Sequence, residues 1–194
     1  SFQVVNYLGV ERYLSSVVGG EMPKNWPSAA LQAQAVASRT YALKQRKKSK
    51  RYDIKSGEAN QIYLGIESET YSTSNAVQKT RSLVMKYKGE LINSVFHSGS
   101  GGLTVPSGEV WKEQLPYLLS VKDYDQNRPN YYWNKRFNQD KLKLIFPKIN
   151  GLTDIELIRV SPSGRILSAK FTGPKGTKIY TGKEIRRRLN KKIT

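Results

Sequence analysis

The sequence predicts an α+β fold: a mixed sheet around a central alanine-rich helix, with a basic C-terminal α/β insertion or subdomain. Three observations predict it. Apolar residues recur at helical spacing near the N-terminus, an alanine-rich run follows, and short β-branched runs separated by turn residues come later.

Tyr7, Val10, Leu14 and Val17 lie three and four residues apart, which predicts a helix over 7–18. Gly19-Gly20 is expected to end it, and Glu21-Met-Pro23 to form a short connection. A second helix is expected from Ser28, read as its N-cap, to Arg46. Its alanines (29, 30, 33, 35, 37 and 42) leave little side-chain bulk and let neighbours come close. Residues 61–65 read as a short strand, 72–80 as a short helix, and 83–87 and 90–96 as a hairpin turning at Lys88-Gly89. Further on, 142–146 reads as a short helix, and 155–160 and 166–171 as strands joined at Ser161-Pro-Ser-Gly164. A basic helix is expected over 183–192.

Composition bounds the function. With 38% apolar residues, twelve Tyr, five Phe and three Trp, the chain can build a core, which argues against a disordered basic tail. It holds no Cys and one His, His97. Thiol nucleophiles, disulfides, Cys-ligated zinc and multi-histidine metal sites are thereby excluded, and no metal or cofactor is expected. No run of apolar residues is long enough to span a bilayer. The net charge of +18 predicts attraction to a polyanion. Six of the eight residues from Lys44 to Arg51 are basic, and the tail from Lys175 carries a second concentration.

Four places could carry chemistry. Glu21 precedes Met22-Pro23, where proline stiffens the backbone and apolar neighbours would raise a carboxyl pKa. The alternative is a surface acid at a helix end. Arg39 shares the i, i+4 row with Leu31, Ala35 and Leu43, so its guanidinium needs a carboxylate partner or an exit to solvent. One reading sends it to the pocket of Glu21. His97, Ser98, Ser100, Gly101 and Gly102 form a glycine-rich loop with groups suited to hydrogen bonding sugar, or else a plain turn. It matches neither a phosphate-binding loop nor a nucleophile elbow. Gln61 and Tyr63 alternate along their segment and could face a groove.

In this order the pieces resemble the SpoIID/LytB domain family: Val17-Val-Gly-Gly-Glu-Met-Pro23, Trp26-Pro27, the run Ala30 to Ala42 with Arg39-Thr40, Asn60-Gln-Ile-Tyr-Leu-Gly65, Phe96-His-Ser-Gly-Ser-Gly-Gly102, and Leu115-Pro-Tyr-Leu118. The resemblance covers about residues 4–125, so 1–125 is expected to be a catalytic core and 126–194 a basic extension packed on it as part of the same domain. It implies a lytic transglycosylase that cuts peptide-free peptidoglycan glycan strands on the extracytoplasmic side. Glu21 would be its acid and base and Arg39 a second active-site residue. Gln61, Tyr63, His97, Ser98, Ser100, Gly101 and Gly102 would face substrate. Relatives with cysteines after the long helix can hold zinc, and this chain has none there. The family also includes amidase enhancers, which makes a cell-wall amidase the partner in the alternative reading. A nucleic-acid-binding module is the third reading, but the basic runs carry no recognisable reading motif.

Overall fold

A computed structural model describes residues 4–46, 51–111, 113–129 and 131–190. Residues 47–50 of the first basic run, and the expected end of the basic helix at 191–192, lie outside the described residues. The fold is mixed α and β: among the described residues there are six α-helices and two antiparallel sheets. By contact the chain divides into two compact units, Ser1–His97 and Ser98–Thr194. Residues 98–125, which the order of motifs groups with the N-terminal core, lie by contact in the second unit.

The first unit is built on helices α1 (Val10–Glu21), α2 (Ser28–Gln45) and α3 (Tyr71–Lys79), each packed on the other two. Leu14, Val18, Leu31, Ala35, Ala76 and Val77 form its core. Leu31 and Ala35 are buried on α2 as the i, i+4 row requires, whereas Ala29 and Ala33 face outward. Pro27 takes the N-cap position and Ser28 is the first helical residue. Thr70 and Thr73 cap α3 reciprocally through backbone and side chain.

Gly19-Gly20 does not end α1, which continues to Glu21. The glycines serve a close approach. A Cβ on Gly19 would stand 2.0 Å from the Ser68 carbonyl oxygen, and one on Gly20 2.8 Å from that of Ile62. Ser16 completes this small-residue face: its hydroxyl pairs with that of Ser68 at 2.7 Å and accepts the Leu64 amide at 3.1 Å. The segment 61–68 therefore runs as a strap against the last turns of α1. It is not the expected strand, because its amides bond to α1 side chains; it makes one bridge, Gln61 to Ser56, and ends in a 3-10 turn, Gly65–Ser68.

The hairpin exists with shorter strands than expected, β1 (Lys86–Tyr87) and β2 (Glu90–Leu91). Positive φ at Lys88 and Gly89 gives the turn the twist that two-residue hairpins need. Thr40 and Ser94 tie it to α2: the Met85 amide donates to Thr40 Oγ1, and Ser94 Oγ donates to the Ala37 carbonyl.

In the second unit, short helix α4 (Ser107–Val110) precedes α5 (Gln139–Ile145). Strands β3 (Asp154–Val160), β4 (Ile166–Gly173) and β5 (Gly176–Thr181) then form an antiparallel meander, and α6 (Gly182–Asn190) follows. The strand β5 was not anticipated from the sequence. Phe146, Phe171 and Tyr180 make an aromatic triangle with centroids 4.9–5.4 Å apart, surrounded by Ile145, Ile149 and Ala169. Ile185 and Leu189 bring α6 onto this core.

Alanine at an exposed helical glycine gains about 1 kcal/mol. At Gly19 the sign reverses. Gly19→Ala is expected to lower stability by roughly 1–3 kcal/mol, since carbonyl backbone cannot yield to the new methyl. Urea unfolding followed by helical circular dichroism measures it.

Candidate functional site

Glu21 sits on the last turn of α1, half-buried, with Oε1 accepting the Ile62 amide at 2.7 Å. The hydrogen bond fixes one carboxylate oxygen and follows directly from the close approach at Gly20. Met22 turns inward and packs against the helical core, while Trp26 stays about half exposed.

Eight residues earlier on the same helix, Tyr13 stacks on Tyr63 with centroids 5.3 Å apart and planes 19° from parallel. Its hydroxyl donates to Gln61 Oε1 at 3.0 Å, and Gln61 Nε2 donates to the Ser38 carbonyl at 3.2 Å. Gln61 is fully buried, so its amide orients Tyr13 rather than facing a groove. Burial first, then the charge of Glu21 and the neighbouring Tyr41 and Tyr63, push the Tyr13 phenol well above its ordinary pKa. Tyr13 is thus a permanent donor in the electrostatic field of Glu21. Beyond the stacked pair lies a cleft of about 970 Å³, walled also by Val10, Leu43, Tyr52 and Ile54. Glu21 does not line that cleft; Tyr13, which does, feels the charge of Glu21.

Arg39 is 1% exposed, and all five of its N–H donors are occupied. Nε and Nη2 grip Glu11 in a bidentate pair at 2.9 and 2.6 Å. Nη2 also donates to the Val77 carbonyl, and Nη1 to those of Leu83 and Ala35. The carboxylate this guanidinium reaches is therefore that of Glu11, not Glu21. Burial alone would raise the Glu11 pKa, but the bonds and charge of Arg39, with the Ser82 amide and Arg81, hold it below the usual range.

His97 is exposed and closes the first unit. In the second unit, Ser98 is exposed, and the rest of the loop wraps a carboxylate. The amides of Ser100, Gly101 and Gly102 donate to Asp125 at 2.8–3.0 Å, with positive φ at both glycines forming the concave amide nest. Ser100 Oγ donates to Asp123 at 2.7 Å, and the Ser100 carbonyl accepts from Arg165. These amides lower the Asp125 pKa, Gly101 most, against the opposing effect of burial.

Sequence reasoning passed over Glu11, Tyr13 and Asp125. A signal existed for the first, since a guanidinium on a core row demands a carboxylate. Nothing in residue spacing pairs Asp125 with a loop more than twenty positions earlier.

Residues 1–87 match the family model SpoIID, the stage II sporulation protein. The chain belongs to the SpoIID family. It is 36% identical over 129 residues to an amidase enhancer of Bacillus subtilis, covering 66% of this chain and 17% of that protein. It is 27% identical over 210 aligned positions to stage II sporulation protein D of Bacillus subtilis, covering 96% of this chain and 59% of that one. An uncharacterized protein of Brachyspira hyodysenteriae is 38% identical over 142 residues, covering 72% of this chain and 39% of that protein. The chain thus spans from about a sixth to three fifths of these relatives. Glu21, Arg39, Gln61 and Tyr63 all lie within the part matched to the SpoIID model, and the loop from His97 onward lies beyond it.

Two expected outcomes follow from these contacts. Glu11→Ala strands a buried guanidinium and should cost roughly 3–5 kcal/mol in chemical unfolding. The second concerns acid. Glu11 and Asp125 have lowered pKa values in the folded chain, so their stabilising contribution is complete above about pH 5 and is lost as pH falls through the lowered values. Asp125→Asn should remove part of that acid sensitivity while loosening the 100–102 loop at neutral pH, readable by amide hydrogen exchange.

Proposed function

We propose that the chain is a peptidoglycan lytic transglycosylase acting on the extracytoplasmic side, with Glu21 as its single acid and base. The observation that carries this reading is the seat of Glu21: an acid in a Glu-Met-Pro sequence within the part matched to the SpoIID model, half-buried and anchored through one oxygen to the Ile62 amide. Protonated Glu21 donates to the glycosidic oxygen between N-acetylmuramic acid and N-acetylglucosamine. The bond to the muramic acid C1 breaks through an oxocarbenium-like state. Glu21, now ionised, takes the proton of the C6 hydroxyl as that oxygen closes on C1. The product is a 1,6-anhydro end, and no water is consumed. A nucleophile within the same sugar makes one carboxyl sufficient, unlike hydrolysis, which uses two.

The other residues divide by what their atoms are free to do. Arg39 is a positioning residue that holds α1 through Glu11. Gln61 orients Tyr13, and Tyr63 extends the aromatic surface on which a sugar ring can rest. His97 and Ser98 offer polar contacts, whereas Ser100, Gly101 and Gly102 give their loop its shape. A basic surface draws the protein to a glycan bearing lactyl carboxylates. No helix among the described residues is long and apolar enough to cross a membrane.

A second reading is favoured by the relative named amidase enhancer: the same domain binds the wall and stimulates an amidase without cutting glycan. Mass spectrometry of peptide-free glycan strands, incubated with the chain and with Glu21→Gln, separates the two. Anhydro-ended fragments from the unmodified chain alone are expected. Binding by both with cutting by neither would replace the transglycosylase with the enhancer.

A further inference from the structure

The second unit holds a concentration of cations that the chemistry at Glu21 does not use. Lys178 lies on β5, opposite Phe171 and two residues before Tyr180, so it projects from the face of the sheet that carries the core. Its ammonium stands 5.6 Å from the centroid of the Tyr180 ring, and the Arg188 guanidinium of α6 stands 4.9 Å from the same centroid. The charge of Lys148, from the turn after α5, acts on Lys178. Two ammonium groups have no acceptor to offer one another. Their repulsion, chiefly from Lys148, holds the Lys178 pKa below the ordinary lysine value, with burial and Arg188 acting in the same direction. The acid in electrostatic range is Glu184, whose Oε2 already accepts the Thr181 amide and hydroxyl.

Two polar atoms in this cluster are buried without a hydrogen-bond partner among the described residues: the Tyr180 hydroxyl and Arg188 Nε. Tyr180 is fully buried. Arg188 is held in place by one donation, from Nη1 to the Ile145 carbonyl at 3.0 Å. A buried donor left unpaired is costly, and so is a pair of like charges held together. One oxyanion placed among them would relieve both.

We propose that Lys148, Lys178, Arg188 and Tyr180 form a phosphate-binding site, used to hold the phosphodiester groups of a polyol-phosphate polymer in the cell wall. Phosphate matches three convergent cations and a hydroxyl, with several acceptor oxygens for donors that approach from different elements. A nucleic acid carries the same group, but the ring of this cluster is buried and offers no face for a base to stack on. The polymer assignment rests on the wall reading above. The phosphate site does not, so the two can fail separately.

The test uses the full chain, inorganic phosphate, a glycerol-phosphate oligomer and a single-stranded DNA of equal charge. Phosphate is expected to bind by calorimetry and to raise the unfolding midpoint through linkage. The pair Lys148→Gln/Lys178→Gln should weaken phosphate and oligomer at least tenfold. The charge-matched pair Lys183→Gln/Arg186→Gln, on the exposed side of α6, should change phosphate less than twofold. Tyr180→Phe should lower phosphate affinity severalfold while leaving the phosphate-free chain as stable or more so, because an unpaired hydroxyl is gone. Lys148→Gln alone, at an exposed position, carries the test if the double variant fails to fold. No phosphate binding, or equal losses from both charge pairs, overturns the site. DNA bound as tightly as the oligomer, with the same dependence on Lys148 and Lys178, overturns the polymer assignment.

Discussion

The close approach between the last turns of α1 and the strap at 61–68 is the constraint on which the candidate site depends. Ser16, Gly19 and Gly20 form a face with almost no side-chain bulk, and the carbonyl oxygens of Ile62 and Ser68 fill the space where methyl groups would stand. Contact at that range puts backbone donors of the strap within reach of α1 side chains. Leu64 donates to Ser16 and Ile62 to Glu21, while Gln61, entering the same strap, receives the Tyr13 hydroxyl. A methyl at either glycine would move all three contacts together, because they share one rigid segment of backbone.

A buried charge fixes the other side of the same helix. Arg39 reaches from α2 to Glu11 near the start of α1, to the Val77 carbonyl near the end of α3, and to the Leu83 carbonyl entering the hairpin. Replacing a buried ion pair by apolar groups can be neutral for stability, but removing one partner is not. What such a pair contributes is geometry: its donors accept only one arrangement of the helices around them. The contrast with Glu21 is instructive. That carboxylate has one backbone donor and stays half-buried, so it keeps capacity for another partner, whereas Arg39 has none left.

The second unit uses similar physics for different ends. In the 100–102 loop, backbone amides converge on an internal carboxylate, so the nest is filled by Asp125. At Lys148, Lys178 and Arg188, cations gather around one nearby acid among the described residues, Glu184, whose Oε2 already accepts from Thr181. One arrangement is closed and structural, and the other is electrostatically incomplete.

Residue order alone was enough for the α+β class, the three helices of the first unit, the turn at Lys88-Gly89 and the paired strands 155–160 and 166–171, because each rests on local periodicity or turn chemistry. It was enough for the SpoIID family, since the motifs stand in order along the chain. It failed where a residue's meaning depends on what lies across the fold. Gly19-Gly20 looks like a helix stop until Ser68 is seen pressing on it, and 61–65 looks like a strand until its amides are found bonded to α1. β5 escaped because its six residues are short and bounded by glycines that read equally well as loop. Tertiary structure alone decided that Arg39 answers Glu11, that Gln61 is buried against Tyr13 and that Asp125 fills the glycine loop. Each of these is a hydrogen bond between residues more than twenty positions apart, and a donor chooses its acceptor only when folding has removed the water that would otherwise satisfy it.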